Sequence, residues 1–378
     1  MKNYSKRFFF FTALFLMLHS LLMAQNRLDS LLPVRGICIA APVPTNVDSF
    51  VTFINKELAP RRINLMVLRV DYHYQFKTHP ELIDTLSLSN ADVQKIVAAC
   101  KKANIRIVPQ VNLLGHQSWA NKTGKLLTAY PQLDETPWVQ MPEKYQWPNP
   151  EGLYCKSYCP LHPEVHKIVF DVVDEICDVF EATAFHAGMD EVFYIGEDKC
   201  PRCGGRDKAE LFAGEVRKIN DHLATKGREL LIWGDRLLDG KTTGLGMWEA
   251  SMNNTYRAID MIPKEVIICD WHYERPDTTA VLFAAKGFRV LTCPWRKPDV
   301  AVQQVKDMVA FRQQSTSQMK GRFLGVMETV WSSVSQFFDG YYGKQKTITT
   351  PTDTQGENTV NTPWNTLKAM YAEMEKIQ

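Results

Sequence analysis

Eight short apolar runs recur along the chain, and amphipathic stretches separate them. Most of the runs are continuously apolar rather than alternating, which is typical of strands buried on both faces, as in a parallel sheet. Regular alternation of such strands with helices indicates an α/β protein. The runs cover residues 36–41, 63–70, 105–111, 182–187, 229–234, 266–271, 289–294 and 323–328.

The stretches between the runs carry signals for helix starts. Ser89 and Asp92 fit a capping pattern ahead of an apolar helix face. Pro163 is suited to the first position of a second helix. Asp207 and Glu210 resemble a further capping box. Each start follows a predicted strand or its loop, so the helices connect successive strands.

Eight strand–helix units predict a (β/α)8 TIM barrel, a fold that takes ~250 residues plus insertions. The alternative is an open doubly wound sheet, which the lack of a glycine-rich phosphate loop after the first run disfavours. We expect one catalytic domain over residues 25–378, with long loops at 117–160 and 344–362.

Residues 1–24 have the pattern of a signal peptide. Lys2, Lys6 and Arg7 precede an apolar segment, and Ala24 stands at a suitable cleavage point. A membrane anchor is the alternative, but the apolar segment is short for a span. We expect an exported protein, periplasmic or extracellular, with no membrane span after removal of the signal. The formal net charge of +2 gives no reason to expect a nucleic-acid partner.

Four of the nine cysteines fall in loop-like sequence, as the pairs CKSYC (Cys155 and Cys159) and CPRC (Cys200 and Cys203). In an exported protein such pairs form disulfides, and together they can also form a four-Cys zinc site. The spacings permit either arrangement. The other cysteines lie in apolar runs and are expected to be buried small hydrophobic residues.

The functional residues of TIM barrels lie at the C-terminal ends of the strands. Tryptophans occur at or just beyond four consecutive predicted ends, as Trp233, Trp271, Trp295 and Trp331. Their flat faces suit pyranose rings, which predicts a sugar-binding pocket. The alternative is that these tryptophans only pack beneath the loops. Asp190 and Glu191 follow the fourth run. Carboxylates in an aromatic pocket favour glycoside hydrolysis, which needs a protonated acid at the leaving oxygen.

These residues resemble motifs of glycoside hydrolase family 20, the β-N-acetylhexosaminidases. Residues 186–191, HAGMDE, are similar to the family's H-x-G-G-D-E, and LLGHQSW is similar to P-G-H-x-x-S-W. VRGICI resembles the family's R-G segment, whose arginine grips sugar hydroxyls, and VLRVDYHYQF resembles its second strand. The similar segments occur in the family's order, from about Arg35 to Trp331.

The resemblance implies a retaining mechanism in which the substrate's own 2-acetamido oxygen attacks the anomeric carbon. Glu191 would be the general acid and then the base, and Asp190 would orient the acetamido group. The implied substrate is a glycan with a terminal β-linked N-acetylhexosamine, and no cofactor or catalytic metal is implied. Sugar contacts are expected from Arg35, Asp71, His116, His186, Trp233, Trp271, Tyr273, Trp295, Glu328 and Trp331.

Departures from the family pattern keep two other hypotheses open. Met189 replaces the second motif glycine, Gln110 and Asn112 replace an acidic pair, and the last tryptophan motif lacks its glutamate, for which Glu328 is the candidate replacement. A sugar-binding barrel without turnover would fit these changes. A metal-dependent hydrolase is the third hypothesis, with candidate ligands His73, His116, His186 and Asp190.

Overall fold

The computed structural model describes residues 27–144, 155–348 and 358–377. Eight parallel strands close into a barrel in the order β1-β8-β7-β6-β5-β4-β3-β2, with β2 paired to β1. This confirms the predicted (β/α)8 fold. The strands are β1 Val34–Ala40, β2 Leu65–Arg69, β3 Arg106–Leu113, β4 Ala184–Gly188, β5 Glu229–Trp233, β6 Ile267–Trp271, β7 Arg289–Cys293 and β8 Phe323–Thr329.

Helices surround the barrel, and several start where the sequence predicts. Ser89 and Asp92 form a reciprocal capping box, and Asp207 accepts hydrogen bonds from the backbone N–H groups of Ala209 and Glu210. The helices are α1 Val47–Phe53, α2 Asn90–Lys102, α3 Lys125–Ala129, α4 Val165–Val179, α5 Lys208–Ala224, α6 Thr279–Ala285, α7 Pro298–Gln314, α8 Ser317–Lys320, α9 Val334–Tyr341 and α10 Pro363–Glu375. A π-helical turn, Ile54–Leu58, extends α1.

The predicted helix start at Pro163 is wrong by two residues. The backbone N–H of Glu164 donates to His162 Nδ1 at 3.2 Å, and that of Val165 donates to the His162 carbonyl at 3.2 Å. Pro163 therefore lies in a turn closed around His162, and α4 begins only at Val165.

Two apolar layers follow from the alternation of side chains along each strand. One layer fills the barrel interior and includes Trp233, Trp271 and Met327. The second lies between the strands and the helices and includes Val326, from the same strand as Met327. Successive residues of β8 therefore point alternately inward and toward the helices.

Parts of three sequence predictions lie outside the described residues: the signal peptide of residues 1–24, and the stretches 145–154 and 349–357 within the two long loops. The described part of the first loop contains α3 and a hairpin of two-residue strands, Ser118–Trp119 and Lys122–Thr123. Among the described residues, no helix combines the length and apolar character needed to cross a membrane.

Candidate active site

Asp190 and Glu191 stand directly after β4, at the carboxyl-terminal rim of the barrel. Three residues of this turn have left-handed backbone conformations, with φ of 68° at Gly188, 68° at Met189 and 48° at Glu191. A non-glycine residue in that region costs about 1–3 kcal/mol and persists only where surrounding contacts hold it. The turn places both carboxylates beside one histidine.

That histidine is His116, from the loop after β3. Its Nε2 lies 3.1 Å from Asp190 Oδ2 and 3.2 Å from Glu191 Oε2, so one ring nitrogen bridges the two carboxylates. His116 itself has φ of 53°, and its ring stacks on Trp119 with centroids 6.2 Å apart. The sequence motif that contains His116 therefore meets the motif that contains Asp190 and Glu191.

The electrostatics of this cluster favour charge on Asp190 and His116. Burial opposes the charged ring, but the Asp190 carboxylate outweighs it and raises the pKa of His116 well above 6.5. Burial likewise opposes the charged carboxylate, yet His116 holds the pKa of Asp190 below 3.8. Asp190 Oδ1 is buried and has no hydrogen-bond partner among the described residues. This oxygen at the barrel rim can therefore accept a hydrogen bond from a group that is not among the described residues.

Asp235 supports Glu191 from the end of β5. Its Oδ2 accepts the Glu191 backbone N–H at 2.9 Å and the Arg236 Nε at 2.7 Å, and its Oδ1 accepts Trp271 Nε1 at 3.3 Å. Burial, opposed by Arg236 and reinforced by Asp190, raises the pKa of Asp235 to about 6. The sequence signal for Asp235 was its position two residues beyond Trp233, but it was not among the predicted site residues.

Cys155 also adjoins Glu191, which the sequence did not predict. Its sulfur lies 3.4 Å from Glu191 Oε2 and within 3.9 Å of both His116 ring nitrogens. Burial raises the pKa of the Cys155 thiol, whose S–H donates to Glu191 Oε2. His116, Cys155 and Glu191 also place donor atoms close enough to hold a metal ion.

An aromatic wall lies beside the acid pair and consists of six of the residues predicted to contact sugar: His186, Trp233, Trp271, Tyr273, Trp295 and Trp331. His186 packs on Trp233 with ring centroids 4.4 Å apart, and Trp233 packs on Trp331 at 5.8 Å. Tyr273 lies between Trp271 at 4.8 Å and Trp295 at 5.3 Å, and its hydroxyl accepts Trp331 Nε1 at 2.8 Å. Tyr273 and the direct contact between Trp233 and Trp331 therefore link all four strand-end tryptophans.

Asp71 lies at the same rim, after β2. Its Oδ1 accepts the Asn112 backbone N–H at 2.9 Å and the Asn112 Nδ2 at 3.1 Å. Gln110 Nε2 in turn donates to Asn112 Oδ1 at 3.2 Å. The two amides that stand at the family's acidic positions thus form a hydrogen-bonded row with Asp71.

Arg35 does not belong to this site, and the prediction that it grips sugar hydroxyls is wrong. It is the second residue of β1, at the amino-terminal end of the barrel. Its guanidinium donates to the carbonyls of Leu32 and Arg62 and pairs with Asp29 at 3.0 Å. Since the strands are parallel, the acid pair stands at the opposite end, and Arg35 stabilises the segment that enters β1.

Glu328 is also misassigned by the sequence prediction. It follows the inward-pointing Met327 in β8 and therefore points toward the helices, not into the barrel. Both of its oxygens are buried without a hydrogen-bond partner among the described residues, and its charge is felt by Tyr371 of α10. Burial raises the pKa of Glu328 well above 4.5. It cannot replace the missing rim glutamate.

We expect Glu328→Met to raise the free energy of unfolding at pH 8 by about 1–3 kcal/mol, the cost of an unpaired buried polar group. The raised pKa means that the wild type loses stability as pH rises above 4.5, while the variant does not. Urea unfolding at pH 5 and pH 8 measures the difference, which should be larger at pH 8. The exposed Glu375→Met serves as a control. A destabilised variant at both pH values would contradict the expectation.

Gly188 is required by the packing of the motif turn. A Cβ at this position would lie 2.1 Å from Asn112 Oδ1, and its φ of 68° is unfavourable for any other residue. We expect Gly188→Ala to cost at least ~1–2 kcal/mol of stability and to lower turnover by displacing Asn112 and the following carboxylates. Thermal unfolding and steady-state kinetics check this. Gly205→Ala is the control for the backbone cost alone, because Gly205 has φ of 73° but a Cβ there meets nothing within 4 Å, so it should lose less stability and no turnover.

The four loop cysteines do not form one group. Cys159, Cys200 and Cys203 lie together, with Sγ–Sγ distances of 3.1 Å from Cys159 to Cys203 and 3.7 Å from Cys159 to Cys200. Cys155 stands instead at Glu191, so the predicted four-Cys zinc site is wrong in its composition. The residue that joins the other three is Glu135.

The metal-dependent alternative needs His73, His116, His186 and Asp190 together. The described residues bring no three of them into a group of metal-ligand dimensions. His73 Nδ1 contacts the Thr85 carbonyl, and His186 Nδ1 accepts the Gly188 backbone N–H. These histidines therefore hold local structure, and His116 alone joins Asp190.

A closed (β/α)8 barrel with a carboxylate pair and an aromatic wall at its carboxyl-terminal rim has the architecture of a glycoside hydrolase. Residues 72–339 match the family model described as glycosyl hydrolase family 20, catalytic domain. The chain belongs to this family of glycosidases.

Individual relatives agree with this membership. The chain is 28% identical to a β-hexosaminidase of Porphyromonas gingivalis, over 39% of this chain and 18% of that protein. It is 30% identical to a β-hexosaminidase of Akkermansia muciniphila, over 38% of this chain and 28% of that protein. It therefore spans less than a third of these curated relatives. A Flavobacterium johnsoniae chitobiase structure, 19% identical, superposes with a TM-score of 0.59 over 91% of this chain and 52% of that chain. This likeness shows the fold.

Proposed function

We propose that the chain cleaves terminal β-linked N-acetylhexosamine from glycans by a retaining, substrate-assisted mechanism. The observation that carries the proposal is the cluster of Glu191, Asp190 and His116, in which one ring nitrogen lies within 3.2 Å of both carboxylates. Its position at the barrel rim beside the aromatic wall suits a sugar ring with polar edges.

In the first step the 2-acetamido oxygen of the substrate attacks the anomeric carbon. The bond to the leaving oxygen breaks, and Glu191 gives that oxygen its proton. An oxazolinium ion results, with its positive charge near Asp190. In the second step the Glu191 carboxylate takes a proton from water, and the water oxygen bonds to the anomeric carbon. The bond from that carbon to the acetamido oxygen breaks, so the oxazolinium ring opens and the product has the configuration of the substrate.

Asp190 is suited to the acetamido group by its two oxygens. Oδ2 is held by His116, which fixes the carboxylate, while Oδ1 has no partner among the described residues. Oδ1 is therefore available to accept the acetamido N–H and orient its oxygen toward the anomeric carbon. The lowered pKa of Asp190 keeps the group charged, so it also stabilises the cation.

The residues around the acid pair divide the remaining tasks. Trp271, Trp295 and Trp331 provide apolar faces for the ring, and Tyr273 and Asp71 provide polar edges. Trp233 is fully buried and supports the wall through its contact with Trp331. Trp119, which is 56% exposed and stacks on His116, is placed to contact the part of the glycan that leaves. We further propose that residues 1–24 are a cleaved signal and that residues 25–378 act outside the cytoplasm as one catalytic domain.

Hydrolysis of paired aryl β-glycosides, with and without the 2-acetamido group, tests the proposal. We expect turnover only of the acetamido sugars, with the β-anomer of the product formed first by NMR. Turnover confined to sugars without the acetamido group would contradict the substrate-assisted mechanism. Binding of N-acetylhexosamine without turnover of any substrate would instead favour the sugar-binding barrel. If EDTA abolished activity while the protein remained folded, the metal-dependent hydrolase would be favoured.

A further inference from the structure

Four buried side chains converge behind the active-site loops, outside the machinery described above. They are Glu135, Cys159, Cys200 and Cys203, and one donor atom from each lies within 4.8 Å of all the others. Glu135 and Cys159 belong to the long loop after β3, and the two other cysteines belong to the loop after β4. The cluster therefore joins the two segments that carry His116 and Glu191.

The distances within the cluster suit a tetrahedral cation. Ligand sulfurs at about 2.3 Å from zinc stand about 3.8 Å apart at tetrahedral angles. Cys159 and Cys200 Sγ are 3.7 Å apart, and Cys159 and Cys203 Sγ are 3.1 Å apart. A zinc ion at the centre requires the second pair to separate by less than 1 Å.

Glu135 provides an independent indication of a missing partner. Its side chain is fully buried, and Oε1 accepts the Glu197 backbone N–H at 3.1 Å. Oε2 is buried and accepts no hydrogen bond among the described residues, although the Cys200 thiol lies within hydrogen-bonding reach of the same carboxyl. A buried carboxylate oxygen that faces three sulfurs is costly unless a cation binds it.

The backbone of the CPRC segment is arranged to support sulfur ligands. The backbone N–H groups of Arg202 and Cys203 donate to the Cys200 sulfur, and that of Leu161 donates to Cys159. Gly204 closes the turn by donating to the Cys200 carbonyl at 2.9 Å, where a Cβ would lie only 2.7 Å from that oxygen. Amide donors of this kind offset the negative charge of thiolates.

A disulfide between Cys159 and Cys203 is the competing arrangement. It would leave the Cys200 thiol and the Glu135 carboxyl buried against each other, with Oε2 still lacking a cation. A metal ion satisfies all four side chains at once, and it needs no oxidant.

We propose that Glu135, Cys159, Cys200 and Cys203 bind one structural Zn²⁺ ion. On binding, the three thiols release their protons to solvent, and each thiolate and one Glu135 oxygen form a bond to the metal. The ion links the loop after β3 to the loop after β4 and thereby fixes the spacing between His116 and Glu191. It does not touch the substrate.

Metal analysis of the full chain, purified with zinc and without chelators, tests the site. We expect about one zinc per chain in the wild type and in Cys155→Ser, and less than about 0.1 in Cys200→Ser, Cys203→Ser and Glu135→Gln. Cys155→Ser is the matched control, because it separates this site from one built of the four loop cysteines. Zinc lost with Cys155→Ser but retained with Glu135→Gln would overturn the ligand set.

Zinc-edge X-ray absorption of the wild type gives a second readout that needs no folded variant. We expect three sulfur neighbours at about 2.3 Å and one oxygen at about 2.0–2.2 Å. Four sulfurs would overturn the role of Glu135. Protein without zinc in which non-reducing alkylation and mass measurement find Cys159 joined to Cys203 would overturn the proposal altogether. Neither readout depends on whether the chain hydrolyses a glycoside.

Discussion

Glu191→Gln should lower kcat/KM for N-acetyl-β-hexosaminides with alkyl leaving groups by about 10²–10⁴-fold, the contribution of a positioned general acid and base. The glutamine preserves the shape of the side chain and its contacts with His116 and Cys155 but carries no acidic proton. It can neither protonate the leaving oxygen nor take a proton from water. Steady-state kinetics of the wild type and the variant measure the loss.

The leaving group separates loss of the acid from loss of structure. An aryl group that leaves readily needs little protonation, so the first step should be far less impaired with such a substrate than with an alkyl glycoside. Glu210→Gln, an exposed substitution on α5, is the control and should retain wild-type rates. Equal losses for every leaving group, or full activity of Glu191→Gln, would contradict the acid assignment.

Much of the scaffold was predictable because it depends on local patterns. Continuous apolar runs located all eight strands, and the capping residue Ser89 located the start of α2. The rule that function lies at strand ends brought Asp190 and Glu191 together with the tryptophans of the wall. These predictions needed only strand periodicity and the direction common to parallel strands.

The errors concern residues whose role depends on the direction of a single side chain or on a contact between distant parts of the chain. Arg35 precedes the first predicted strand, so it stands at the end away from the acid pair, whatever motif surrounds it. Glu328 lies on the correct strand near the correct end, but the inward direction of Met327 turns it toward the helices. Cys155 and Asp235 reach Glu191 from loops 36 and 44 residues away. The strand-end rule places Asp235 at the correct rim but does not predict its hydrogen bond to the Glu191 backbone, and no spacing rule predicts the contact of Cys155.

Met189 departs from the family motif, yet the backbone keeps the conformation that the motif requires. The family's glycine at this position fits its φ of 68°, which most side chains avoid. Here Met189 adopts that conformation while fully buried, so packing around the side chain compensates for the backbone cost. The departure from the motif therefore does not displace Asp190 or Glu191 from His116.

Asp190→Asn is expected to lower kcat by about 10²–10³-fold, the usual cost of removing one preorganised charge from a developing ion. The amide still fits beside His116, but it cannot stabilise the oxazolinium cation, and its –NH₂ group competes for the acetamido orientation. Substrates should still bind, so KM should change much less than kcat. A rise in KM by the same factor, with kcat unchanged, would contradict a role of Asp190 in the reaction.

The same substitution should change the pH dependence of stability in a defined way. The pKa of Asp190 is below 3.8, so its contribution is present above that pH and is lost as pH falls through the lowered pKa. The pKa of His116 is above 6.5, so its contribution is complete below pH 6.5 and is lost as pH rises through the raised pKa. The pair therefore stabilises the fold most between about pH 4 and 6.5.

Within that window we expect Asp190→Asn to reduce the free energy of unfolding by up to about 3 kcal/mol, because His116 loses the partner that offsets its burial. The pKa of His116 should fall, which NMR titration of its ring measures directly. In a His116→Gln background the further change Asp190→Asn should have little effect on this pH profile, since the partner is already absent. An unchanged His116 pKa in Asp190→Asn would mean that Glu191, at 3.2 Å from the same nitrogen, holds the ring charged by itself.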